Sequence, residues 1–472
     1  QVFGGNDFGG RISTEQTANL SSVTNRPVSN PDLLQDVSTF VSYIQGRVDS
    51  IYGGGYGSYD YYSDVYHDYI YTKGSTNLPT GVKIGDPKEG FSFPYMHGSS
   101  FLYFHPVDNA RNSVGFLLGG SEGYPGYVDF NNTMQERSYV LIDDVNTSAA
   151  NKDVFLNTDI FGGGSFAGMG AVEFSDDGNG KEVRTLYPGA GRTTVDLFAG
   201  RFNDVYGGCN NEGLVGFSRV YVPESSTVSV NNIYGGGSGY KQEAFDEINN
   251  NTSLTTQQKE ALIAELTEIY CDHYITLVDY RGANASVESG IYAGNHHRRL
   301  SFDTYLNITV PVRNSQGKLI TVFGAGYGNE TASGRTNIFL QNGAQVNQVY
   351  GGGRDGYVMN YPSLTNWLTL QFAGTPEQKL AGVLKYSSYL DAFNSYINTH
   401  GINLPTDVLA GLGIPQYVDD GRNLTNPDAY YNTNVHILQG AQVAGNPREG
   451  GGSSNGYAYG GGLGSLDRKS VV

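Results

Sequence analysis

Val349-Tyr350-Gly351-Gly352-Gly353 is one copy of a phrase, an apolar residue, an aromatic one and then glycines, that returns from one end of the chain to the other. It stands as Val2-Phe3-Gly4-Gly5, Ile51-Tyr52-Gly53-Gly54-Gly55, Ile160-Phe161-Gly162-Gly163-Gly164, Val205-Tyr206-Gly207-Gly208-Cys209 and Ile233-Tyr234-Gly235-Gly236-Gly237. Weaker copies are Leu117-Leu118-Gly119-Gly120, Ile291-Tyr292-Ala293-Gly294, Val322-Phe323-Gly324-Ala325-Gly326 and Ala458-Tyr459-Gly460-Gly461-Gly462. An internal repeat of this kind marks an array in which each unit is one supersecondary element.

Upstream of the best copies lies a second common frame: Thr336 to Val346 before Val349, Phe40 to Val48 before Ile51, and Thr194 to Phe202 before Val205. The unit therefore reads strand, glycine turn, short strand, glycine turn. Alternating Val195 and Leu197, or Val41 and Tyr43, suit strands with one apolar face. A single coil cannot bury that face, but stacked coils can, each in-register Val, Ile or Phe covering its equivalent in the next rung. The expectation is an all-β, right-handed parallel β-helix (β-solenoid) over 1–472, with the aromatic residues before the glycines forming a ladder. A flexible Gly linker does not account for the regular apolar flanks. No copy has the Lys-Ser/Thr of a phosphate loop, nor the helix and acidic residue of a dinucleotide site.

The 472 residues include 66 Gly, about twice the average share, and 36 Tyr against one Trp. A net charge of −17 without a long acidic run argues against nucleic acid or anionic lipid as main partner. No apolar run approaches the length of a membrane-spanning helix. The two cysteines, Cys209 and Cys271, imply no disulfide framework and read as thiols, with one bridge left open. The chain starts at Gln1 without initiator Met or apolar leader, which suits a mature, processed product or a trimmed piece of a longer chain. Sequons occur at Asn19, Asn131, Asn146, Asn250, Asn251, Asn284, Asn307, Asn329 and Asn423.

Three stretches depart from the repeat. Residues 59–110 open with a Tyr-rich run and continue into a Pro- and Phe-rich loop or hairpin. The run from Tyr59 to Tyr71 has two readings. It forms an amphipathic strand with phenol tips in water, or a sugar-binding face of Tyr59, Tyr61, Tyr62, Tyr66, Tyr69 and Tyr71 with Asp60 and Asp64 between the rings. Residues 241–273 contain a capping-box pattern, Thr255-Thr256-Gln257-Gln258, before apolar Leu262, Leu266 and Ile269 at helical spacing. Residues 362–426 carry a second helix signal, with Thr375 as cap and Pro376 at the first helical position.

A solenoid enzyme draws its chemistry from one face of successive rungs, so its residues scatter in sequence. The candidates are the acidic pairs Asp143-Asp144, Asp176-Asp177 and Asp419-Asp420, and the run His296-His297-Arg298-Arg299. Paired carboxylates suit glycoside hydrolysis, and a basic group beside a uronate suits elimination. Against this, adjacent Asp residues in Gly-rich segments are turn formers, and the His-Arg run lacks metal-ligand spacing. Metal is therefore expected nowhere. Calcium is the one cofactor considered, at Gly54-Gly55-Tyr56-Gly57-Ser58-Tyr59-Asp60, which has a residue too many before the Asp and no nine-residue period.

The pattern Val-x-Val-x-x-Gly-x-Val-x-x-Val-Tyr-Gly-Gly-Gly, clearest near 37–58, 193–216 and 334–356, resembles Gly-rich repeats of secreted or surface-displayed proteins from gut Bacteroidota. The resemblance implies an exported solenoid, extracellular or on the cell surface, associated with outer-membrane transport or adhesion, and carries no catalytic residues. The expected function is binding of a glycan or a surface protein partner without catalysis. The alternatives are a β-helix polysaccharide lyase or glycoside hydrolase, and a structural stalk or assembly subunit.

Overall fold

The computed structural model describes residues 1–5, 11–12, 37–56, 61–63, 68–70, 95–107, 111–123, 133–145, 151, 153–165, 167–169, 172–176, 182–186, 191–211, 215–239, 248–260, 271–297, 300–328, 331–358, 433–438, 440–447 and 456–463. Among the described residues strand dominates over helix and nearly all strand pairs are parallel, so the fold is a β-solenoid. The chain divides into two compact units, Gln1–Pro223 and Glu224–Val472.

In the first unit one sheet holds Val2–Phe3, Arg47–Tyr52, Ser113–Leu118, Asp159–Phe161 and Arg201–Tyr206 in that order. Its register is the repeat itself. Val2, Ile51, Leu117, Ile160 and Val205 align in one column, and Phe3, Tyr52, Leu118, Phe161 and Tyr206 in the next. The rings stack wherever two aromatics meet, Phe3 on Tyr52 at 4.8 Å and Phe161 on Tyr206 at 4.6 Å. The second sheet holds Val37–Tyr43, Tyr95–Phe104, Thr133–Asp143, Arg192–Ala199 and Val215–Val222. Leu102, Val140, Val195 and Val220 form its fully buried inner column. Each such side chain contributes about 1.5–3 kcal/mol, and only when a neighbouring rung covers it.

The second unit repeats the plan. Ser229–Tyr234, Ser286–Tyr292, Thr321–Phe323, Gln348–Tyr350 and Tyr457–Tyr459 stack in order. Tyr234, Tyr292, Phe323, Tyr350 and Tyr459 form an unbroken ladder with ring separations of 5.0, 4.8, 5.2 and 4.7 Å. The facing sheet holds Cys271–Tyr280, Leu300–Ile308, Ala332–Leu340 and Thr433–Ile437, with Val278, Leu306, Ile338 and Val435 in one column.

The two sheets of each unit are latched by hydroxyls that the repeat reading did not single out. Thr39 Oγ1 donates to the Gly53 carbonyl at 2.7 Å and Thr336 Oγ1 to the Gly351 carbonyl at 2.6 Å. Ser100, Ser138 and Thr193 do the same to Gly119, Gly162 and Gly207, as do Thr276 and Thr304 to Ala293 and Gly324. These seven corner carbonyls are thereby satisfied inside the core, where an unmet acceptor costs about 1–3 kcal/mol.

The departures from the repeat are partly resolved. Tyr95–Phe104, within the range assigned to an insertion, is a full rung, paired in parallel with Val37–Tyr43 and Thr133–Asp143. Phe101 and Phe104 are both fully buried, so aromatic area on both sides of the strand fills the rung without a glycine signature. The Tyr-rich run contributes an antiparallel hairpin, Tyr61–Ser63 against Asp68–Ile70. The capping box forms as read: Thr255 N–H donates to Gln258 Oε1 at 2.9 Å and Gln258 N–H to Thr255 Oγ1 at 3.3 Å. The helix signal at 362–426 lies outside the described residues. Among the described residues, no helix is long and apolar enough to cross a membrane.

Candidate functional site

The strongest clustering of polar side chains on a repeat position lies in the second unit, at the residue after the glycine corner. Its backbone column is His296, Tyr327, Arg354 and Leu463, joined by successive parallel bridges. Each residue sits at the same offset from the ladder aromatic before it: Tyr292, Phe323, Tyr350 and Tyr459. The chain turns away immediately afterwards. His297 and Asp355 adopt left-handed φ values of 55° and 59°, and Gly328 takes 100° at the equivalent place. That corner keeps the preceding side chains at the rim of the rung, half-buried rather than enclosed.

The column is a second stack outside the first. The His296 ring lies 4.7 Å from Tyr234 and 5.1 Å from Tyr327, nearly parallel to both. Tyr327 stacks on Tyr292 at 5.3 Å, and His297 lies against His296 at 3.6 Å. The Arg354 guanidinium covers the Tyr327 ring at 4.8 Å. A hydrogen bond to the Tyr292 side chain holds the Arg354 pKa above its ordinary value, so the cation is permanent. Beneath them, buried Asn295 accepts the Gly237 N–H at 2.7 Å and fixes the corner from inside.

This stacking decides what the site offers. Rings spaced at rung distance cover one another's faces, so a pyranose finds little open ring face to lie on. The half-buried column carries polar groups, imidazole, phenol and guanidinium, at strand spacing of about 4.8 Å. The row suits hydroxyl and carboxylate oxygens presented along an extended ligand.

The other sequence candidates do not converge here. His296 is in the column and His297 follows it against the His296 ring, while Arg298 and Arg299 lie outside the described residues. Asp143 and Asp144 are both buried and act on different neighbours. The Asp144 charge, after burial, pushes the Tyr43 phenol up to about 12, while Asp143 acts on His105. As consecutive residues leaving a strand they face opposite sides, so they are not a carboxylate pair for glycoside hydrolysis. Asp176 ends one strand of an antiparallel hairpin, opposite Glu182. Tyr61, Tyr62 and Tyr69 are placed only by backbone, with Tyr62 opposite Tyr69. Tyr59, Asp60, Asp64, Tyr66, Tyr71, Asp177, Asp419 and Asp420 lie outside the described residues. Among the described residues no cluster of three His, Cys, Asp or Glu side chains forms a metal site. Cys209 is a buried thiol whose sulfur lies 3.6 Å from the Ala167 carbonyl oxygen.

Tyr327 and Arg354 carry no signal in the repeat phrase itself, which ends at the glycines before them. Aligning the repeats at the glycines and reading the residue after them in each copy would have found them. No family model matches this chain, and no curated protein or solved structure matches it.

Proposed function

We propose that this chain is an exported, surface-displayed solenoid that binds a glycan through the His296–Tyr327–Arg354 flank. The observation that supports it is the in-register column of half-buried polar side chains with one permanent cation pinned at Arg354. The net charge of −17 sets the ligand's limits, since a densely anionic polymer meets repulsion from the rest of the surface. The chemistry fits a hydroxyl-rich polysaccharide with sparse carboxylates, each carboxylate met by Arg354 and the hydroxyls by His296, His297 and Tyr327.

Titration calorimetry against neutral, sparsely uronylated and densely sulfated polysaccharides tests this. The uronylated polymer is expected to bind best, and Arg354→Ala to weaken it by about tenfold, the scale of one charge-assisted hydrogen bond. Undiminished binding in Arg354→Ala and Tyr327→Ala together would remove the flank from recognition.

A further inference from the structure

The first unit brings together a serine, a histidine and an aspartate that lie far apart in sequence and on three neighbouring parallel strands. Ser42 is in Val37–Tyr43, His105 follows Tyr95–Phe104, and Asp143 ends Thr133–Asp143. Ser42 pairs with Tyr103, and Phe104 pairs with Ile142, so His105 and Asp143 sit one residue beyond a matched pair on the same outer face. Ser42 is exposed and its Oγ lies 2.6 Å from His105 Nε2. The imidazole is held flat on the Tyr103 ring at 4.0 Å. Asp143, 4% exposed, is a negative charge whose field favours the imidazolium.

We propose that Ser42 and His105 are the nucleophile and general base of an acyl-ester hydrolase site, with Asp143 as positioning residue. The arrangement meets the first geometric requirement for an activated hydroxyl, nucleophile and base within hydrogen-bond reach, and the Asp143 charge acts electrostatically on the base. With the ring proton on Nδ1, Nε2 accepts the Ser42 hydroxyl. Burial lowers the His105 pKa, which keeps the ring neutral and able to take a proton at pH 7.

The substrate class follows from the shoulders of the site. Phe40 and Ile44 flank Ser42 on its own strand face and are 41% and 48% exposed. Val107, 37% exposed, donates its N–H to the Ile44 carbonyl at 2.8 Å. Three exposed apolar side chains around one activated hydroxyl fit the alkyl part of an acyl group. As Ser42 Oγ bonds to the ester carbonyl carbon, its proton moves to Nε2. The carbon–alkoxy bond then breaks and the departing alkoxide takes that proton. Water, deprotonated by the same nitrogen, attacks the acyl-serine, releases the carboxylic acid and restores the hydroxyl.

The test uses the whole chain with p-nitrophenyl acetate and butyrate, and a fluorophosphonate probe located by peptide mass mapping. The probe is expected on Ser42, butyrate to turn over faster than acetate, and Ser42→Ala to lower kcat/KM at least about 100-fold. Ser42 is exposed, so the variant keeps the fold, which an unchanged melting curve verifies. Asp143→Asn is expected to lower kcat while KM is kept. A probe that misses Ser42, or a Ser42→Ala rate equal to wild type, overturns the assignment; an unchanged kcat in Asp143→Asn removes Asp143 from it.

Discussion

Gly351→Ala probes the packing rule on which the solenoid rests. Gly351 is not in the left-handed region, so conformational freedom is not what the position needs. Space is: a Cβ there would stand 2.6 Å from the Gly460 carbonyl oxygen of the next rung and 3.0 Å from Thr433 Cβ. Ordinary contact needs most of an ångström more. Relief requires the rung at 456–463 to move away, lengthening the Gly351 N–H bond to the Tyr459 carbonyl, now 2.7 Å, and loosening the Tyr350–Tyr459 stack. The chain carries its own calibration, because Ala293 occupies the equivalent position. Its N–H reaches the Phe323 carbonyl at 3.0 Å, within the 2.8–3.0 Å that the glycines at 4, 53, 119, 162, 235 and 324 show for the same bond, so one rung takes a methyl with its register kept. At Gly351 the close contacts place the cost in the usual overpacking range of about 1–3 kcal/mol. That corresponds to about 5- to 150-fold faster hydrogen exchange for amides that need the last rung in place. Peptides covering 346–356 and 456–463 report it, with Gly461→Ala as control, since a Cβ there meets nothing within 4 Å. Exchange in Gly351→Ala equal to that control would refute the steric account of the repeat glycine.

Three further outcomes are expected. Thr255→Ala removes half of the capping box and should cost about 1 kcal/mol locally, seen as faster exchange at 256–259 with an unchanged global melt. In a glycosylating host, exposed Asn284 is expected to be modified and Asn307 not, because Asn307 is 2% exposed and its Nδ2 donates to Asp279 at 2.9 Å; glycopeptide mass spectrometry decides. Burial raises the Glu122 pKa, so Glu122 contributes its stability below the unfolded value and loses it as pH rises through the folded one. Glu122→Gln should therefore raise the melting temperature at neutral pH and leave it unchanged in mild acid, and an equal effect in both would contradict the assignment.

The sequence by itself determined the fold class and much of its register. Every repeat copy, including the weak ones at Leu117, Ile291, Val322 and Ala458, stands in the column its alignment assigns. That is legible because an apolar residue followed by an aromatic and glycines records a local requirement at each rung: one side chain inward, one ring in the ladder, then a corner without Cβ. The capping box was legible for the same reason, both partners lying within one helical turn. Only the tertiary structure decided which distant residues share a face. The hydroxyl latches span separations from 14 residues at Thr39 to 24 at Ser138, because each rung carries an insertion of its own length. Ser42 and His105 are 63 residues apart, and Asp143 and Asp144, adjacent in sequence, act on different neighbours. Insertions set the spacing along the chain, while hydrogen bonds between rungs set the spacing in space, and only the second places one functional group beside another.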